Sequence, residues 1–128
     1  MSARRLTTFA VLALITACAS GSSGDTAPRG SRDLITLAEI EGVEVTNAYD
    51  LIQRLRPEML RARGQGSFAS GPTPAVVYLD GVKHGQIGEL RSMPKEVVTE
   101  IRYINGPDAT TRFGTGHMGG AILITSRR

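Results

Sequence analysis

A single cysteine and two histidines in 128 residues remove several chemistries at once. One thiol forms no internal disulfide. A zinc site on His84 or His117 would have to recruit carboxylates such as Asp80 or Glu89 from unrelated segments, and no ligand spacing supports that. Both histidines therefore read as solvated loop residues. Gly-x-Ser-x-Gly does not occur, so no serine is marked as a nucleophile beside a base and an oxyanion site. The apolar run from Leu6 to Ala17 is about a dozen residues, short of the roughly 20 that a membrane-spanning helix requires. No internal repeat is present, and no catalytic residue, metal or cofactor is expected.

What is there begins with an address. Arg4-Arg5, the uncharged run to Ala17 and the small residues after it follow the three-part plan of an export signal: basic, apolar, small. Ile15-Thr16-Ala17-Cys18 resembles the bacterial lipobox, which is cut just before the cysteine. The resemblance implies a signal peptide over 1–17 and a Cys18 that carries lipid on both its sulfur and its new amino terminus. Three acyl chains are enough for stable anchoring. Ala19, where an aspartate would retain such a protein at the inner membrane, implies sorting to the outer membrane, on its periplasmic face. Ala17-Cys18-Ala19 also fits an ordinary signal cut after Ala19.

Without residues 1–17, 111 residues carry thirteen basic and twelve acidic groups. That near-neutral balance, together with export, disfavours nucleic acid as a partner. Residues 18–32 hold no large apolar side chain after Cys18 and read as a lipidated tether. One domain is expected over 33–128, of class α+β, with a mixed sheet of about three to five short strands and two to four short helices. Thr36-Leu37-Ala38-Glu39 fits a capping box. Ala48, Leu51, Ile52, Leu55 and Met59 recur at helical spacing, which predicts a helix over 47–56 with Pro57 at its end. Arg54, Arg56, Arg61 and Arg63 cluster nearby, but arginine is favoured near any helix C-terminus by the dipole. Residues 64–74 read as flexible.

Ala75 to Leu79 is a β-rich run ending in Asp80-Gly81, a strong hairpin signal. Pro94 opens a short helix, residues 100–104 alternate as a strand, Gly106-Pro107 breaks it, and 108–113 form a helical turn before a last strand over 121–125. Val77, Ile101, Tyr103, Ile122, Ile124, Leu51 and Leu55 are the expected core. Gly114-Thr115-Gly116-His117-Met118-Gly119 spells G-x-G-x-x-G. A nucleotide site needs a strand before that motif, a helix after it and an acidic residue about 20 positions on. Here a helical turn precedes, a strand follows, and nine residues remain after Gly119. No nucleotide is expected. Gly81, Gly106, Gly114, Gly119 and Gly120 read as turn and close-packing positions.

The order Pro74-Ala75-Val76-Val77-Tyr78-Leu79-Asp80-Gly81-Val82, Met93-Pro94, Ile101 to Pro107, Arg112-Phe113-Gly114 and Gly119 to Thr125 resembles the plug domain of TonB-dependent outer-membrane receptors. The match spans residues 72–126. In such receptors the plug sits within a barrel of the same chain. Arg128 follows directly on the last plug strand here, so the expectation is a plug-like domain without its own barrel. Nothing between Cys18 and Asp33 resembles the segment by which receptors contact TonB. The resemblance implies a fold and a compartment, with binding to an outer-membrane barrel or other envelope protein through loops 64–73, 83–92 and 108–119. Arg112 and His117 would supply polar contacts. The other reading is a small ligand-binding or enzymatic lipoprotein on the same scaffold.

Overall fold

Side chains alternate along three strands, β4 (Val76–Leu79), β6 (Val98–Ile104) and β7 (Ala121–Ser126), and the alternation sorts them onto two faces. The structure, a computed structural model, describes residues 31–65 and 71–128, the side chains of 64 and 65 excepted. The signal segment 1–17, Cys18 and most of the tether lie outside the described residues, as does the middle of the 64–73 loop. On one face Val77, Ile101, Tyr103, Ile122 and Ile124 join the main core. On the other, Tyr78, Ala121 and the partly buried Val76, Ile104 and Leu123 form a smaller one.

The five-stranded mixed sheet runs β1-β6-β7-β4-β5, with β1 at Leu34–Ile35 and β5 at Val82–Gln86. β7 lies at the centre, antiparallel to β6 and parallel to β4. A strand paired on both sides and covered on both faces reads as a continuous apolar run, which is what Ala121-Ile122-Leu123-Ile124 is. Three α-helices cover the sheet: α1 (Leu37–Glu41), α2 (Ala48–Leu55) and α3 (Gly106–Phe113). Ile40 of α1 and Ala48, Leu51 and Ile52 of α2 pack into the main core, and Leu55 is only partly buried at its edge. Ala109 and Phe113 of α3 cover the opposite face. The expected α+β class and mixed sheet are thus observed.

Local chemistry sets the element ends. At α1 the Thr36 amide donates to Glu39 Oε2 at 3.0 Å, and Arg56 donates to the other carboxylate oxygen at 2.8 Å. Burial alone would raise the Glu39 pKa, but the Thr36 and Arg56 hydrogen bonds and the Arg56 charge outweigh it, so the pKa falls. Asn47 caps α2 and Asn105 caps α3, each side chain accepting the amide three residues on. Pro57 opens a separate 3-10 turn over Pro57–Leu60.

Several expectations change. The segment 83–92 is not a loop: it is β5 followed by a 3-10 helix over Ile87–Ser92. β5 carries little sequence signal because it is an edge strand without apolar alternation and with a bulge at His84, between Lys83 and Gly85. The expectation for residues 64–74 is flexibility throughout, but their described parts form a short ladder, β2 (Arg63–Gln65) against β3 (Pro72–Thr73). The Pro94 helix is a single 3-10 turn over Lys95–Val97. Among the described residues no helix is long and apolar enough to cross a membrane.

Candidate functional site

The glycines of residues 106–120 solve a packing problem between backbones. Asn105 caps α3 only if the chain turns sharply off β6, and the loop returning from α3 to β7 then runs directly beneath that turn. A Cβ on Gly106 would overlap the Met118 carbonyl oxygen, and one on Gly119 would overlap the carbonyl oxygens of Thr73 and Pro74. Gly114 and Gly120 serve differently, with φ of 89° and 91°. Gly120 is also crowded by the Ile104 carbonyl and the Tyr103 ring. At Gly119 the space beside the motif is therefore filled by protein, whereas Gly114 and Gly116 have nothing within 4 Å of a Cβ position. The strand that follows Gly120 and the closed backbone packing around Gly119 leave no helix N-terminus to cradle a pyrophosphate.

Asp80 and Gly81 both have positive φ, 49° and 84°, the pattern of a tight two-residue hairpin turn. The Asp80 carboxylate accepts from the Ser126 hydroxyl at 2.6 Å and the Ser126 amide at 2.9 Å. The hydroxyl bond, with the amide bond behind it, holds the carboxyl below its ordinary range. Asp80 thereby ties the hairpin to the end of β7.

His117 overturns its reading as a solvated residue, while His84 is exposed as expected. The His117 side chain is 5% exposed. Its Nδ1 lies 2.9 Å from the Gly114 carbonyl, which only accepts, so Nδ1 carries the proton. Nε2 then accepts from the Tyr78 hydroxyl at 2.8 Å. Phe113 stacks on the Tyr78 ring, centroids 4.1 Å apart. Both ring nitrogens are engaged internally, so His117 closes the loop over the small core and presents no polar contact to a partner. The physical reason is local: a histidine flanked by glycines can fold back, and Tyr78 points to the face opposite Val77, where α3 leaves room.

Arg112, by contrast, is exposed and lines an open concavity of about 670 Å³. Asp33 and Leu34 of the β1 end, Arg63 of β2, Arg102 and Tyr103 of β6 and Asp108 of α3 share that lining. The Tyr103 amide donates to the Asp33 carbonyl at 2.8 Å, and the Tyr103 hydroxyl donates to the Gly119 carbonyl at 3.1 Å, so the floor is fixed at both ends. The Arg63 guanidinium lies 5.1 Å from the Tyr103 ring centroid and the Arg112 guanidinium 5.2 Å from that of Phe113. Arg102 pairs with Glu100 at 3.2 Å. Of these the sequence marks only Arg112 as a contact residue; Arg63 belongs to the arginine cluster that the helix dipole explains, and Tyr103 to the expected core. Asp33, Arg63 and Arg112 come from three distant parts of the chain, and only the sheet order brings them together.

Among the described residues no group of histidine, cysteine, aspartate and glutamate side chains is placed to hold a metal ion. Cys18 lies outside the described residues. Comparison with known proteins finds no matching family, no matching curated protein and no matching solved structure.

Proposed function

We propose that the protein is a non-enzymatic lipoprotein of the outer membrane, anchored through Cys18, whose plug-like domain binds another envelope component on the periplasmic side. A barrel protein is the first candidate partner. The observation that carries the reading is an ordered set of motifs: Asp80-Gly81 at the β4 hairpin, Asn105-Gly106-Pro107 at the start of α3, Phe113-Gly114 at its end and Gly119-Gly120 ahead of β7. Each occupies a position where a turn or a close backbone approach requires its residue type, in the order in which a receptor plug carries them. The anchor reading is supported by Ile15-Thr16-Ala17-Cys18 after the apolar run. Recognition belongs to the domain end that carries Arg112 and the exposed Met118, since loops held by a rigid scaffold are the usual place for it.

The anchor is tested by Cys18→Ala, which releases the protein into the soluble periplasmic fraction and abolishes incorporation of labelled palmitate. A wild-type protein that is already soluble and begins at Ser20 would refute it. The partner is tested by crosslinking in intact cells followed by outer-membrane purification. A reproducible envelope protein, lost when Arg112 and Met118 are changed to serine in a domain that still folds, is the expected result. Turnover of a small molecule by the purified domain would replace this reading with an enzymatic one.

A further inference from the structure

The concavity between β1, the end of β6 and α3 holds charges of both signs that do not neutralise one another. Arg63 and Arg112 form no ion pair with any described residue, and neither does Asp33. Asp108 is held by the Asn105 side-chain amide at 3.0 Å rather than by an arginine. Opposite charges free to swing together at a surface commonly pair. Here they are kept apart by what fixes each: Tyr103 lies under Arg63, Phe113 under Arg112, the Asn105 cap holds Asp108, and the β1–β6 ladder holds the Asp33 backbone. A volume of about 670 Å³ falls within the range of small-ligand sites, roughly 300–1,000 Å³.

We propose that this concavity binds a zwitterionic phosphoester, with the phosphate on Arg63 and Arg112 and the ammonium group on Asp33 and Asp108. Guanidinium forks arriving from two elements suit a tetrahedral group that offers oxygens in several directions, whereas a planar carboxylate is satisfied by one fork. The two aspartates would repel a ligand of purely negative charge. A cationic group a few bonds from the phosphate turns that repulsion into attraction. Arg102, already engaged by Glu100, adds positive potential without being required as a direct ligand. The site shares Arg112 with the proposed partner surface, but it needs neither the lipid anchor nor a partner to be tested on the purified protein. The same chemistry is presented by a soluble phosphoester and by a phospholipid headgroup.

Isothermal titration of the Cys18→Ala protein with phosphoethanolamine tests the site, with inorganic phosphate and β-alanine as comparison ligands. Saturable binding is expected, tightest for phosphoethanolamine. Arg63→Gln with Arg112→Gln should weaken it about tenfold or more, the scale of one lost charge-assisted hydrogen bond, in a domain that still unfolds cooperatively, because both side chains are exposed and lose only their contacts with the Tyr103 and Phe113 rings. Asp33→Asn should abolish the preference over inorganic phosphate. Cosedimentation with phosphatidylethanolamine vesicles, lost in the double arginine variant, would identify the source as a lipid headgroup. Binding of the soluble compound with no vesicle retention would identify a free phosphoester. Absence of binding in both arms, binding that the double variant keeps, or equal affinity for β-alanine would overturn the proposal.

Discussion

Replacing Gly119 by alanine adds one methyl group, and the structure says where it must go. Gly119 does not have positive φ, so alanine meets no intrinsic backbone penalty there. The new Cβ instead falls onto the carbonyl oxygens of Thr73 and Pro74 and within 2.6 Å of the Pro74 carbonyl carbon. These are backbone atoms and cannot rotate aside as a flexible side chain would. Overpacking costs typically about 1–3 kcal/mol, and contact with rigid backbone places Gly119→Ala at the upper end, about 3 kcal/mol. Gly114→Ala is the informative contrast: nothing lies within 4 Å, but φ 89° and ψ −171° belong to a region reserved for glycine, at about 1–3 kcal/mol. Gly88→Ala meets neither obstacle and should stay within about 0.5 kcal/mol of the parent. Urea unfolding followed by far-ultraviolet circular dichroism reads all three. At about 4–8 °C per kcal/mol for a domain of this size, Gly119→Ala should lower the melting temperature by about 12–24 °C. A Gly119→Ala protein as stable as the parent would refute the packing argument for the motif.

Ile122 is fully buried on the central strand, so Ile122→Ala should cost about 2–5 kcal/mol in the same urea assay. Tyr78→Phe leaves His117 Nε2 buried without its donor and should cost about 1–3 kcal/mol, whereas a loss under 0.5 kcal/mol would show that water reaches the ring. Glu39 has a lowered pKa, so its contribution is present above the usual carboxylate range and is lost as pH falls through the lower folded value. Glu39→Gln should therefore destabilise the protein at neutral pH and flatten the acid limb of a stability-against-pH curve. An unchanged acid limb would show that the Arg56 pair and the Thr36 cap contribute nothing.

How far the sequence discloses the fold depends on whether a signal is local. β4, β6 and β7 were legible because their own residues carry it: β-branched runs, strict alternation and the Asp80-Gly81 turn. The Thr36–Glu39 box and the α2 periodicity were legible for the same reason, to within a residue at each end. β1 was not, since two residues carry no pattern and Leu34–Ile35 is a strand only because β6 offers its edge at Arg102 and Ile101. His117 was misread because its burial depends on Tyr78, 39 residues away. The polar concavity was invisible for a related reason. Arginine at the end of a helix or beside a flexible segment has a sufficient local explanation, and only the strand order places Arg63 and Arg112 around one space with Asp33.

The glycine motif and the concavity are one construction. α3 is fixed at its start by the contact of Gly106 with Met118 and at its end by the stacking of Phe113 on Tyr78. Asp108 and Arg112 lie between those two points, one helical turn apart, and so share a face of the helix. The Tyr103 hydroxyl, bonded to the Gly119 carbonyl, links the same loop to the floor beneath Arg63. Side chains on elements pinned at both ends lose less freedom when a ligand arrives, so more of each contact appears as affinity. A residue larger than glycine at 106 or 119 would push α3 and the 72–74 segment away from β6, and the first consequence would be to spread the arginines. The sequence that spells a nucleotide motif thus does a different job here: it lets three stretches of backbone meet closely enough to hold a charged surface in shape.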